Sequence, residues 1–182
     1  MEKLLEENRI ERVIMKTIIS LIIINLLLLI GGCGNSNISG IQSDCNIEKI
    51  AIASGSGVLG DAVGVELFNR GFTIIDSQET TAIIGRMGLK EFEVTSASGY
   101  EALKEKGIDA VLSVKTVDAD DGTPESASVR ITDTSTGQVI TGLTWQNKKM
   151  GSKLVYILTR KNLSDAAKEI AEKLSKRIKP KQ

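Results

Sequence analysis

The sequence predicts an α/β (α+β) domain: a mixed sheet of about five strands with flanking helices, in the order β-α-β-α-α-β-β-β-α. Three observations lead there. An apolar run, a glycine-rich turn and a four-residue apolar period follow one another from Ile47 to Ile75, which reads as a βαβ unit with a right-handed parallel crossover. Ala127, Val129 and Ile131 then alternate with Ser128, Arg130 and Thr132 ahead of a Thr134–Gly137 turn, the pattern of an antiparallel hairpin. A last stripe of Ala167, Ile170, Leu174 and Ile178 has helical spacing.

Taken in order, Ile47 to Ala53 is a β-rich strand ended by the glycines of 54–60. Leu59, Val63 and Leu67 recur every four residues and predict an amphipathic helix that stops at Gly71. Phe72 to Ile75 is a second strand. Asp76 or Ser77 suits the N-cap of a helix bearing Ile83, Ile84 and Met87, closed by Gly88. Ser98 can cap another helix through Leu103 to Gly107. Ala110 to Val117 is a strand, followed by an acidic loop from Asp118 to Glu125. On the returning strand of the hairpin, Val139, Leu143 and Trp145 are expected on one face, with Trp145 in the core. Ser164 is expected to cap the final helix, with Pro180 just beyond its end.

Ahead of the domain lies an export signal. Met15-Lys16 opens an apolar run, Thr17 to Ile30, in which Ser20 and Asn25 are the polar interruptions past Thr17. As a helix these fourteen residues reach about 21 Å, short of the ~30 Å hydrocarbon core but right for a secretory signal. The run closes on Ile30-Gly31-Gly32-Cys33. This resembles the lipobox of bacterial lipoproteins, in which two small residues admit a peptidase and the cysteine takes the lipid. Cleavage is therefore expected between Gly32 and Cys33, with diacylation and palmitoylation of Cys33. The alternative is a plain membrane anchor with an incidental cysteine. Residues 1–14 carry Glu2, Glu6, Glu7 and Glu11 where a signal wants positive charge, and are expected to be an extension ahead of a true start at Met15. The domain plan is thus 1–14 extension, 15–32 signal, 33–46 lipidated tether and 47–179 domain.

Composition narrows the chemistry. The 182 residues balance 23 basic against 23 acidic side chains and contain no histidine and two cysteines, Cys33 and Cys45. Without histidine there is no Ser-His-Asp or Cys-His catalysis and little basis for a zinc site. Carboxylate pairs or a Ser–Lys dyad remain possible, yet no spacing points to them. No catalytic residue, cofactor, metal or nucleic-acid partner is expected. Gly55-Ser56-Gly57-Val58-Leu59-Gly60 matches the G-x-G-x-x-G dinucleotide pattern between strand and helix, with Asp76 near the place of a ribose-binding carboxylate. The hairpin downstream does not supply a second parallel half, so a structural turn is the better reading and nucleotide binding the alternative. Asp118, Asp120 and Asp121 suggest a calcium loop, but positions six and twelve hold Thr123 and Val129, which leaves a solvated acidic turn. The carboxy-terminal part is basic: Lys148, Lys149, Lys153, Arg160, Lys161, Lys168, Lys173, Lys176, Arg177, Lys179 and Lys181 stand against Asp165, Glu169 and Glu172. Lys173, Lys176 and Arg177 are the candidate patch for an anionic envelope surface or an acidic partner, against the plainer reading of a solvated face.

Glu48-Lys49-Ile50-Ala51-Ile52 and the Leu67 to Asp76 run resemble the start of the CsgG-type family of envelope lipoproteins. Gly107 to Leu112 resembles that family's "G-A-D-A-V-V" strand. Val129 to Asp133 with Thr136 to Val139 resembles its "R-x-x-D-x-x-T-G-x-V" hairpin. The resemblance implies a lipid-anchored, periplasm-facing domain at the outer membrane, or at the outer leaflet of the cytoplasmic membrane in a single-membrane organism. It implies work by protein binding, with an envelope protein partner and possible homo-oligomers, including a ring without a barrel. Secretion-channel activity is not implied, because no pair of segments offers the long alternating hairpins a membrane barrel needs.

Overall fold

In the computed structural model, residues 38–39, 46–147 and 160–180 are described. The elements in chain order are β1 (Ile38–Ser39), β2 (Asn46–Ile47), β3 (Lys49–Ile52), α1 (Gly57–Phe68), β4 (Thr73–Ile75) and α2 (Ser77–Arg86). A 3-10 turn (Glu91–Thr95) leads into α3 (Ala97–Glu105), then β5 (Ala110–Asp118), β6 (Pro124–Asp133), β7 (Val139–Gln146), α4 (Leu163–Ser175) and β8 (Lys179–Pro180). The expected mixed sheet and element order are present. Its strands lie in the order β1-β7-β6-β5-β3-β4, and β2 pairs separately with β8. β3 runs parallel to both β4 and β5, while β5–β6 and β6–β7 are antiparallel.

The alternation of β3 explains the layering. Ile50 and Ile52 enter one core with Leu59, Val63 and Leu67 of α1 and Ile170 and Leu174 of α4. Ala51 and Ala53 enter a second core with Ile83 and Ile84 of α2 and Ala102 and Leu103 of α3. A strand buried on both faces reads as an unbroken apolar run, as Ile50 to Ala53 does. β6 has helices over one face only, so there the pattern alternates: Ala127, Val129 and Ile131 are buried while Arg130 is exposed, whereas β7 is buried without a break from Ile140 to Leu143.

Several local expectations are corrected. Ser96, not Ser98, caps α3, its hydroxyl accepting from the Gly99 N–H at 3.2 Å. Asn162, not Ser164, caps α4, its side-chain oxygen accepting from the Asp165 N–H at 2.9 Å. A cap acts on the N–H three residues on, and Ser98 and Ser164 already lie inside their helices' first turns. Asp76 does cap α2, accepting from the Glu79 N–H at 2.7 Å. Met87 is the C-cap of α2 and is 41% exposed. Val139 is half exposed because the register slips between Ile131 and Thr132: Ile131 faces Thr141 and Thr132 faces Val139. That bulge turns Val139 outward and buries Ile140. Finally, α1 is not amphipathic. Its inner face buries Leu59, Val63 and Leu67, but Val58, Val65 and Phe68 on the outside are 70%, 60% and 64% exposed.

Candidate functional site

The glycine loop is built by the packing of α1 onto β3. Gly55 and Gly57 have φ of +79° and +63°, a left-handed backbone in which a side chain is strained. Between them Ser56 is buried, and its hydroxyl accepts from the Val114 N–H at 3.3 Å, joining the loop to β5. Gly64, one turn beyond Gly60, lets the helix approach the sheet: a Cβ there would stand 2.4 Å from Ile52 Cδ1. The loop borders a shallow crevice of about 300 Å³ beyond the carboxyl ends of β3 and β4, lined by Ser54, Gly55, Ser77, Gln78, Thr81 and Glu91. It lies where open α/β sheets commonly place ligands, yet its lining offers a carboxylate and no cation to a pyrophosphate. Asp76, the candidate ribose partner, is engaged as the α2 cap.

In the acidic turn, Asp121 accepts from the Thr123 N–H at 3.1 Å and pairs with Arg160. The Thr123 backbone first, and Arg160 next, hold its carboxyl below the ordinary range. Among the described residues no group of three Cys, Asp or Glu side chains is placed to hold a metal ion.

The helix α4 carries a charged cluster that the sequence gives only in part. Trp145 is 2% exposed, as expected of a core residue, and its indole N–H donates to Glu169 Oε2 at 2.9 Å. The same carboxylate receives Lys161 Nζ at 2.5 Å and Lys173 Nζ at 2.9 Å. Burial is the largest single influence on Glu169 and raises its pKa, but the bonds from Lys161, Lys173 and Trp145 together outweigh it and bring it down to about 2. Of the candidate patch, Lys173 is thus tied to Glu169, and Lys176 pairs with Glu172 at 2.8 Å with its side chain 70% exposed. Arg177 is half-buried just past the helix end. The Glu169–Lys173 and Glu172–Lys176 pairs were legible as (i, i+4) spacings. The Trp145 contact was not, since it joins α4 to a strand 24 residues away, and the Lys161 contact was not, since Lys161 precedes the cap of α4 and lies outside the helical spacing.

A second unforeseen feature is Asn147. Its side chain is buried and donates to the carbonyls of Pro124 (3.0 Å) and Lys161 (2.9 Å), while its oxygen accepts from the Lys161 N–H at 2.9 Å. It ties together the points where the chain leaves β7 and returns toward α4. Gly32, Cys33, Cys45, Lys181 and the basic stretch 148–159 lie outside the described residues. Ile38–Ser39, inside the stretch expected as a tether, pairs antiparallel with β7, Ile38 opposite Leu143 and Ser39 opposite Gly142. Among the described residues no helix is long and apolar enough to cross a membrane.

No family model and no curated protein matches the chain. Among solved structures it is similar to the PelC dodecamer from Paraburkholderia phytofirmans, at 14% identity and TM-score 0.46, covering 82% of this chain and 100% of that one. It is also similar to lipoprotein GNA1162 from Neisseria meningitidis, at 14% identity and TM-score 0.42, covering 60% and 89%. A third is the LpoB C-terminal domain from Salmonella enterica, at 17% identity and TM-score 0.43, covering 56% and 85%. Likenesses this distant carry no functional argument.

Proposed function

We propose that the chain is a lipid-anchored lipoprotein of the bacterial envelope whose domain works without catalysis, by binding protein partners. The observation that carries this is Ile30-Gly31-Gly32-Cys33 closing an apolar run too short to span a bilayer. The mature protein then begins at lipidated Cys33 and faces the periplasm from the outer membrane. Gly34, rather than an aspartate, follows the cysteine, which favours outer-membrane sorting where two membranes exist. The absence of histidine supports a non-enzymatic role. Lys173, Lys176 and Arg177 remain the proposed contact for an anionic surface or an acidic partner. The nucleotide alternative loses its main support, because the glycines of 55–60 meet the needs of the turn and of helix packing. In cell fractionation, Cys33→Ser should leave an uncleaved precursor and no mature membrane-bound form. Normal processing of that variant to a soluble, shorter protein would overturn the proposal.

A further inference from the structure

We infer that α1 is a contact between two copies of this chain, in which the outer faces of two α1 helices pack antiparallel about a two-fold axis at Val65. This goes beyond the reading above by naming one protein partner, a second copy, and it does not depend on Cys33.

Among the described residues seven large apolar side chains are exposed, and three of them, Val58, Val65 and Phe68, lie on the twelve residues of α1. Met87, Phe92, Val117 and Val139 each belong to a different element, as scattered surface residues do. A helix that is apolar all round is ordinarily covered all round. At about 100° per residue, Phe68, Asp61, Val65, Val58, Asn69 and Ala62 fall in that order across a stripe about 120° wide. Leu59, Val63 and Leu67 face the other way, into the core.

Charge and symmetry select the occupant. The stripe holds one charged group, Asp61, and no cation. Glu66 and Arg70 beside it neutralise each other at 2.7 Å. An anionic membrane or an acidic partner therefore finds nothing here to hold. A second copy does, because the stripe is balanced about Val65. Ala62 and Phe68 stand three residues before and after it, a small apolar side chain and a large one. Asp61 and Asn69 stand four before and after, an acceptor and a donor. An interface about a two-fold axis requires this kind of complementarity, residue i meeting j while j meets i. In an antiparallel pair centred on Val65, Phe68 lies level with Ala62 of the second copy. Asn69 lies level with Asp61 of the second copy, where its amide donates to the carboxylate. Asp61 accepts the Ser77 hydroxyl at 3.1 Å and has lone pairs left for that bond. Centring on Val63 instead would set Asp61 against Val65, a carboxylate against an apolar side chain. Twelve residues make α1 about 18 Å long. The contact is thus small beside a standard interface of roughly 1,600 Å², and the dimer is weak.

A weak dimer is best trapped covalently, in the full chain and in the membranes of cells that make it. In a Cys45→Ser background, Val65→Cys places two thiols at the axis. With about 10 Å between helix axes and Cα atoms about 2.3 Å off each, their Cα atoms stand roughly 5 Å apart, within disulfide range. Mild oxidation should give a dimer linked through position 65, located by peptide mapping. Asp61→Cys alone should give little, because its two copies lie about 12 Å apart along the helices. Coexpressed with Asn69→Cys it should give at least about threefold more, as facing positions do. An unchanged yield there would overturn the axis at Val65. Phe68→Glu added to Val65→Cys should cut the dimer at least about fivefold, by setting a charge in an apolar contact, with the circular dichroism spectrum unchanged. An undiminished yield would overturn the apolar stripe as the contact. No dimer through position 65, whether its thiol is free or covered by another molecule, overturns the proposal outright. Equal crosslinking from Gln138→Cys, beside the hairpin turn, would mean random collision and overturn it as well.

Discussion

Individual residues separate structural demand from chemistry most clearly at Gly57 and Glu169. Gly57 has φ of +63° with nothing within 4 Å of an added Cβ, so Gly57→Ala meets backbone strain and no clash. It should lower stability by about 1 kcal/mol, read as a shift in thermal midpoint. Calorimetry should find no nucleotide affinity in either form, and micromolar binding of a dinucleotide by the native chain would contradict the structural reading of the loop. Glu169 adds a pH dependence. Its carboxyl lies at about 2 in the folded protein against an ordinary 4.5. A depressed carboxyl stabilises the fold fully above its unfolded pKa, and this contribution is lost as the pH falls from about 4.5 toward 2. Glu169→Gln keeps an acceptor for the Trp145 indole but removes the charge that Lys161 and Lys173 share. It should cost about 1–2 kcal/mol at neutral pH and flatten the acid limb of a stability–pH curve. An unchanged acid limb would show that Glu169 does not carry it. Asp109 serves structure in the same way: its carboxylate accepts the Glu48 and Lys49 N–H groups at 2.8 and 2.9 Å, which fixes the start of β3 and gives the aspartate of the "G-x-D-A" run a physical purpose.

Among the elements, α4 offers the sharpest test of how its end is made. Asn162→Ala removes the acceptor of the Asp165 N–H and should cost about 1 kcal/mol, whereas Ser164→Ala, inside the first turn, should change stability by a few tenths at most. Comparable losses from both, measured by denaturant titration, would contradict the assigned cap. Ser164 and Ser98 were misplaced because sequence spacing locates a cap only to within a turn, and the side chain that reaches the third N–H decides it. The Leu59, Val63, Leu67 period placed α1 correctly, because those three residues are its buried face. What the period could not say is that Val58, Val65 and Phe68 leave the other face apolar too. Val139 failed for a different reason: strict alternation carries no sign of a bulge, and one extra residue reverses every orientation beyond it. The glycine loop was legible as a turn, while the contact of Gly64 with Ile52 depends on how closely helix meets sheet.

For the whole molecule, the order β-α-β-α-α-β-β-β-α was readable because each change of apolar period, from helical to alternating, coincides with a turn signal. The pairing of Ile38–Ser39 with β7 was hidden in a polar stretch with no period of its own. Everything proposed for function descends from Cys33. The most direct test is intact-mass and peptide analysis of the protein purified from envelope membranes. The account predicts a mature chain that begins at Cys33 and carries a diacylglyceryl thioether with or without an amide-linked acyl chain. A membrane-derived chain that retains residues 17–32 uncleaved, with Cys33 as a free thiol, would contradict it.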